Sequence, residues 1–209
     1  MATEARIFEA LIRNDFRAFL HKVFVTLSPG QTYVPTWHVE AIAWQLDRVR
    51  RGEVRRLIIN MPPRSLKSIA ASVAFPAFVL GHDPSRRIIC VSYSGDLAKK
   101  HSNDFRAVLE SSWYRSAFPN ARVGPFKNSE TEIELTARGF RLATSVGGTA
   151  DNIQARGANP SHKAFLVRND CLSAAGRGAG RFGCRNATLL EACRSGTVQS
   201  RGRSPDGGI

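Results

Sequence analysis

A short apolar run, Arg55-Arg56-Leu57-Ile58-Ile59-Asn60, is followed by Met61-Pro62-Pro63-Arg64-Ser65-Leu66-Lys67-Ser68 and then by the long apolar stretch Ile69–Leu80. The first part has the length and branching of a buried strand, and the last has the length of a helix. A strand joined to a helix by a tight loop commits the chain to an α/β layout. Lys67-Ser68 at the first turn of that helix has the spacing of a phosphate cradle. In such a cradle backbone N–H groups wrap the anion and the helix N-terminus faces it. A Lys reaches the terminal phosphates, and the Ser hydroxyl meets Mg²⁺. Both glycines of G-x-x-x-x-G-K-[ST] are missing, since Met61 and Leu66 stand in their places. Leu66 is expected to replace glycine only with a negative φ. The loop alone leaves two readings open, a nucleotide site and a solvated helix cap.

The rest of the chain fits around this unit. Helical spacing predicts an amphipathic helix over residues 4–24, with Phe8, Leu11, Phe16 and Phe19 among its apolar positions. A second helix is expected over 37–50, capped by Thr36 and ended by Gly52. The helix after the loop should run from about 66 to 80 and kink at Pro76. Ile88–Ser94 reads as a second buried strand, and 95–111 as a third helix. Alternation over 131–146 around Ala137-Arg138-Gly139 predicts a hairpin. Together these give the expected fold class: a parallel sheet flanked by helices, of the phosphate-loop NTPase type, incomplete, followed by a largely irregular tail.

Charge adds a candidate partner. Thirty Lys and Arg against 17 Asp and Glu give a net +13, which favours a polyanion, nucleic acid first. Arginines cluster at 48–56 and again at 177–203. The four cysteines, Cys90, Cys171, Cys184 and Cys193, form no C-x-x-C pair, so neither a zinc pattern nor a disulfide framework is expected. No stretch is long and apolar enough to suggest a membrane span.

The segments 37–68 (Trp37-His38 through Lys67-Ser68), 75–106 and 140–150 (Phe140-Arg141-Leu142 through Gly147-Gly148-Thr149-Ala150) agree in order and spacing with a known family. This part of the chain resembles the N-terminal ATPase domain of the large subunit of tailed-phage terminases, in which a Pro-Pro-Arg version of the phosphate loop is common. The resemblance implies a DNA-packaging ATPase with ATP and Mg²⁺ as cofactors. Its partners would be double-stranded DNA, a terminase small subunit, a portal protein and further copies of the same chain, as a homo-oligomer, in the cytoplasm of a bacterial host carrying the phage. It also implies site residues. Pro62, Pro63, Arg64, Ser65 and Leu66 would wrap the phosphates, with Arg64 as a second cation. Lys67 would face the β- and γ-phosphates, and Ser68 would hold Mg²⁺ through its hydroxyl. Trp37 and His38 would lie at the adenine, and Tyr93-Ser94 at the sheet edge where ligands gather. Trp37 and Tyr93 also read as core aromatics.

The resemblance stops near Ala150. The family continues into an apolar strand ending in two acids, which hold Mg²⁺ and orient the attacking water. Here Ala164-Phe165-Leu166-Val167 is followed, after Arg168 and Asn169, by one acid, Asp170. The catalytic acid is therefore unassigned, and no counterpart of the family's nuclease domain is recognised. Residues 1–150 read as a partial ATPase domain. Residues 151–209 read as a Gly/Arg-rich tail, disordered or encoded out of frame, in which only His162–Val167 and Ala187–Cys193 could form short elements. The expected activity of the chain itself is little or none. A non-catalytic basic module that binds nucleotide or DNA is the alternative, and a helicase-like ATPase of the same fold class is a third reading.

Overall fold

The computed structural model describes residues 2–62, 64–145, 164–172 and 185–193. The chain opens with α1 (Ala2–Asn14) and α2 (Phe16–Leu27). The sequence predicts one helix here. Asp15 breaks it by taking an extended conformation, and its carboxylate accepts the Arg17 N–H at 2.8 Å as the cap of α2. The break lets Phe16, Phe19, Leu20 and Val23 all turn into the core. Next is α3 (Trp37–Arg51), ended by Gly52 at φ 82, a left-handed position that suits glycine. Thr36 precedes it but makes no capping bond, and its hydroxyl lies 3.1 Å from His38 Nε2 instead.

Strand β1 (Arg56–Asn60) leads through the loop into three consecutive helical pieces: α4 (Lys67–Ile69), a π-helical turn (Ala70–Ala74) and α5 (Phe75–His82). Pro76 has no N–H to give the carbonyl four residues back, which is that of Ser72. The strain is taken up by the wider π-helical turn just before Pro76. The elements β2 (Arg87–Ser92), α6 (Gly95–Glu110) and α7 (Ser112–Ala117) follow, with the Ser94 hydroxyl capping α6 by accepting the Leu97 N–H. Strands β3 (Val123–Asn128), β4 (Glu132–Leu135) and β5 (Phe140–Ser145) come next, then β6 (Ala164–Leu172) and β7 (Arg185–Cys193). The last two overlap the segments in which the sequence allows short elements, β7 over 187–193 and β6 only over 164–167.

The strands form one sheet in the order β1-β7-β6-β2-β5-β4-β3. Strand β2 runs parallel to β5 and to β6. The pairs β1–β7, β6–β7, β4–β5 and β3–β4 are antiparallel. The fold is therefore mixed α/β, and the expectation of a parallel sheet is corrected. Parallel pairing is confined to the centre. Hairpin geometry imposes antiparallel pairing on β4–β5, as the turn at Ala137–Gly139 requires, and β7 inserts antiparallel between β6 and β1. In the turn, Gly139 is fixed by space: a Cβ there would lie 2.2 Å from the Pro84 carbonyl oxygen.

The helices bury an aromatic cluster. Phe16, Phe19, Phe78, Tyr114 and Phe118 meet with ring centroids 5.1–6.3 Å apart. The Tyr114 hydroxyl satisfies itself by donating to the Ala77 carbonyl at 2.8 Å. Through this cluster α5 is held by α2 and α7, so the helical run that begins at Lys67 in α4 is packed into the core at its far end.

Candidate functional site

The loop after β1 takes a glycine-like path without glycine. Arg64 has φ 64, and Leu66 has φ 58 and ψ 2. The expectation of a negative φ at Leu66 is thus overturned. Here the chain must swing from a loop into a right-handed helix, and the left-handed conformation is the geometry that does it. Leu66 holds that conformation because its half-buried side chain packs on the core, while its carbonyl accepts the Ala70 N–H at 2.8 Å and opens the helix. A non-glycine residue there stores roughly 1–2 kcal/mol of strain. Met61, in the other glycine position, also packs on the core. Pro62 is exposed, and Pro63 lies outside the described residues.

Lys67 is buried, with 6% of its surface exposed. Removal from water lowers its pKa from the ordinary lysine value, because the charged form is the one that loses hydration. An anion placed beside the ammonium would offset that penalty. Ser65, also buried, has a hydroxyl with no hydrogen-bond partner among the described residues. A buried hydroxyl without a partner is uncommon, and in this loop it is a donor a phosphate oxygen could use. Ser68 is half-buried one residue further, and Arg64 is exposed at the rim.

The other residues singled out from the sequence fall elsewhere. Trp37 is 80% exposed and Tyr93 is 61% exposed, so neither is a core aromatic. Trp37 and Trp44 line a groove of about 640 Å³ between α3 and the α1–α2 junction, and none of its lining residues comes from the loop 62–68. His38 stands edge-on to Trp37 with centroids 6.0 Å apart. The structure therefore gathers Ser65, Lys67 and Ser68 at one helix start, and it places Trp37 in a groove of its own.

Backbone register locates Asp170. Asn60 at the end of β1 and Asp170 on β6 both pair with Ala187, from opposite sides of β7. Asp170 thus lies two strand spacings, about 10 Å, from the strand end that launches the loop. The acids on and beside β4 are remote: four strands separate β4 from β1. Glu130 is paired with Lys99 and Glu134 with Arg138. Glu132 is raised by desolvation and then by Glu134.

The basic cluster after α3 is partly self-neutralised. Arg48 pairs with Glu53, Arg50 with Asp47, and Arg51 with both acids, at 2.8–3.3 Å. A residue that sequence reasoning missed is Arg141, which is fully buried on β5. In the alternating segment Phe140-Arg141-Leu142-Ala143 an arginine reads as the solvent-facing residue, and nothing in the pattern signals otherwise.

No family model, no curated protein and no solved structure matches this chain. Among the described residues no helix is long and apolar enough to cross a membrane, and no group of three or more His, Cys, Asp or Glu side chains is placed to hold a metal.

Proposed function

We propose that the loop 61–68 is a phosphate-binding loop of the terminase large-subunit type, and that the chain binds ATP but hydrolyses it poorly. The observation that carries this reading is the helix start itself. It combines a buried Lys67, a buried Ser65 hydroxyl without a described partner, and a backbone already in the left-handed turn that glycine would otherwise supply. Such backbone strain is found where a local geometry is needed for function. The residues fit a triphosphate: Lys67 answers its charge, and Ser65 with the N–H groups at the helix start answers its oxygens. Mg²⁺ would rest on the Ser68 hydroxyl and on the nucleotide's own oxygens. When bound, it would neutralise charge on the phosphates.

Weak turnover follows from where the carboxylates are. Hydrolysis needs an acid that orients water at the terminal phosphate. Glu130, Glu132 and Glu134 belong to the far side of the sheet, which leaves Asp170 as the described acid nearest the loop by register. Packaging of double-stranded DNA, with a small subunit and a portal as partners, is the role the resemblance implies. The net charge of +13 supports DNA contact, although the ion pairs of Asp47 and Glu53 reduce what the 48–56 cluster contributes.

The test is binding of a fluorescent ATP analogue and ATP turnover by the full chain, with and without duplex DNA, across a salt series. The expected result is Mg²⁺-dependent nucleotide binding, DNA affinity that falls steeply with salt, and turnover orders of magnitude below that of working ATPases. Absence of nucleotide binding would reduce the loop to a helix cap. Brisk turnover that is abolished by Asp170→Asn would make Asp170 the catalytic acid.

A further inference from the structure

Arg141 is the largest of the side chains with essentially no exposure. On β5 it stands between Ile88 of β2 and Ile133 of β4. A guanidinium stays charged at every accessible pH, and taking it out of water costs several kcal/mol unless a partner compensates. Arg141 has little compensation among the described residues. Its Nη2 donates to the Ser72 carbonyl at 3.0 Å, and its guanidinium carbon lies 5.0 Å from the centre of the Phe105 ring. Its Nε and Nη1 have no hydrogen-bond partner among the described residues. Near it are His101 of α6, whose Nδ1 also lacks a hydrogen-bond partner among the described residues, and the buried Cys90 thiol, which approaches the same Ser72 carbonyl at 3.9 Å and lies within reach of the guanidinium. His101 is kept neutral here, its pKa lowered to about 4 by desolvation first and by the Arg141 charge second.

An apolar side chain would fill this space more cheaply, so stability does not explain the arginine. Its hydrogen bond to Ser72 gives a reason. Ser72 lies in the π-helical turn between α4 and α5, and Pro76 denies its carbonyl the usual helical donor. Arg141 supplies a donor to that carbonyl from the sheet. The π-helical turn begins directly after Lys67–Ile69, so its geometry sets the rotation and height of the helix start that bears Lys67 and Ser68. Single π-helical turns of this kind recur at functional sites.

We infer that Arg141 is a positioning residue: it clamps the Ser72 carbonyl, fixes the π-helical turn to β5, and thereby sets where Lys67 and Ser68 stand. The functional half of this inference rests on the phosphate-loop reading above.

The test uses the full chain carrying Arg141→Met or Arg141→Lys, with Ile133→Val, the apolar register neighbour of Arg141 on β4, as a core control. Hydrogen exchange is followed over residues 70–78 and over α6, and affinity for a fluorescent ATP analogue is measured in parallel. In Arg141→Met, exchange over 70–78 should accelerate well beyond that of α6, and nucleotide affinity should fall by about tenfold or more, because small misplacements of a binding group are expensive. Arg141→Lys should recover part of both, since an ammonium still offers one donor to the carbonyl. If Arg141→Met fails to fold, Arg141→Lys is compared with wild type and should show the same selective changes to a smaller degree. Exchange over 70–78 no faster, relative to α6, than in the Ile133→Val control would overturn the clamp. Unchanged nucleotide affinity in a variant with loosened 70–78 would overturn its positioning role. If the wild type binds no nucleotide, the phosphate-loop reading fails, and the exchange data alone decide whether the clamp on the helix exists.

Discussion

Replacing Leu66 by Gly and, separately, by Ala isolates the strain in the loop. Both substitutions delete the same half-buried packing of Leu66 on the core, so that loss cancels when the two variants are compared. What remains is backbone. In an ordinary negative-φ position Gly is the worse residue by about 0.5–1 kcal/mol, because its unfolded chain has more freedom to lose. At φ 58 and ψ 2, Ala keeps the left-handed penalty of roughly 1–2 kcal/mol, and Gly is relieved of it. The two effects oppose each other and the larger wins, leaving Leu66→Gly more stable than Leu66→Ala by about 0.5–1 kcal/mol. Equilibrium urea unfolding of both variants reads this as a difference in midpoint at equal slope. Should Leu66→Ala prove the more stable of the pair, the loop does not hold the left-handed turn, and the glycine-like path of the phosphate cradle is wrong.

Lys67→Met should abolish binding of the ATP analogue, since it removes the cation that would face the phosphates; a fluorescence titration showing binding intact would refute the assignment. The His101 pKa, held at about 4 against an ordinary 6.5 by desolvation and the Arg141 charge, means that the unfolded chain takes up its proton first. Stability should therefore decline as pH falls from 6.5 towards 4, by an amount of order 3 kcal/mol; urea midpoints across that range should show the decline in wild type and a flatter profile in His101→Gln. Gly139→Ala should destabilise by about 2 kcal/mol or more, because the new Cβ meets the Pro84 and Arg86 backbone carbonyls; a thermal midpoint like that of wild type would show that the turn can yield.

The sequence disclosed elements where local chemistry is strong and failed where long-range packing decides. Strands β1 and β2 announce themselves as short apolar runs, and Gly52 ends α3 as its position implies. Strand β3 was unreadable because Val123–Asn128 contains both Gly124 and Pro125, which count against a strand, yet pairing with β4 holds it in the sheet. The antiparallel insertion of β7 between β6 and β1 was not legible, because the composition of β7 says nothing of the partners it will choose. Within the candidate site, spacing singled out Lys67 and Ser68 and left open whether they meet a phosphate or only open a helix. The sign of φ at Leu66 was not, since it reflects a contest between steric strain and core packing. Arg141 was invisible because its burial is set by the space between β5, α6 and the π-helical turn rather than by its neighbours in sequence.

Among the described residues, the strand that launches the loop meets the sheet through one neighbour, and that neighbour comes last. Strand β1 is bonded to β7, and the backbone of Arg56 lies in register with that of Glu191, far downstream. A contact between residues so distant in the chain is slow to form. During synthesis β1, the loop and the helix behind it would leave the ribosome well before β7 exists, and helices α2 and α7 could settle against α5 in the meantime. The loop would then be set in order of time by the last described strand to be made. Removing residues 185–193 would leave every residue of the loop in place and still unseat the strand on which it stands.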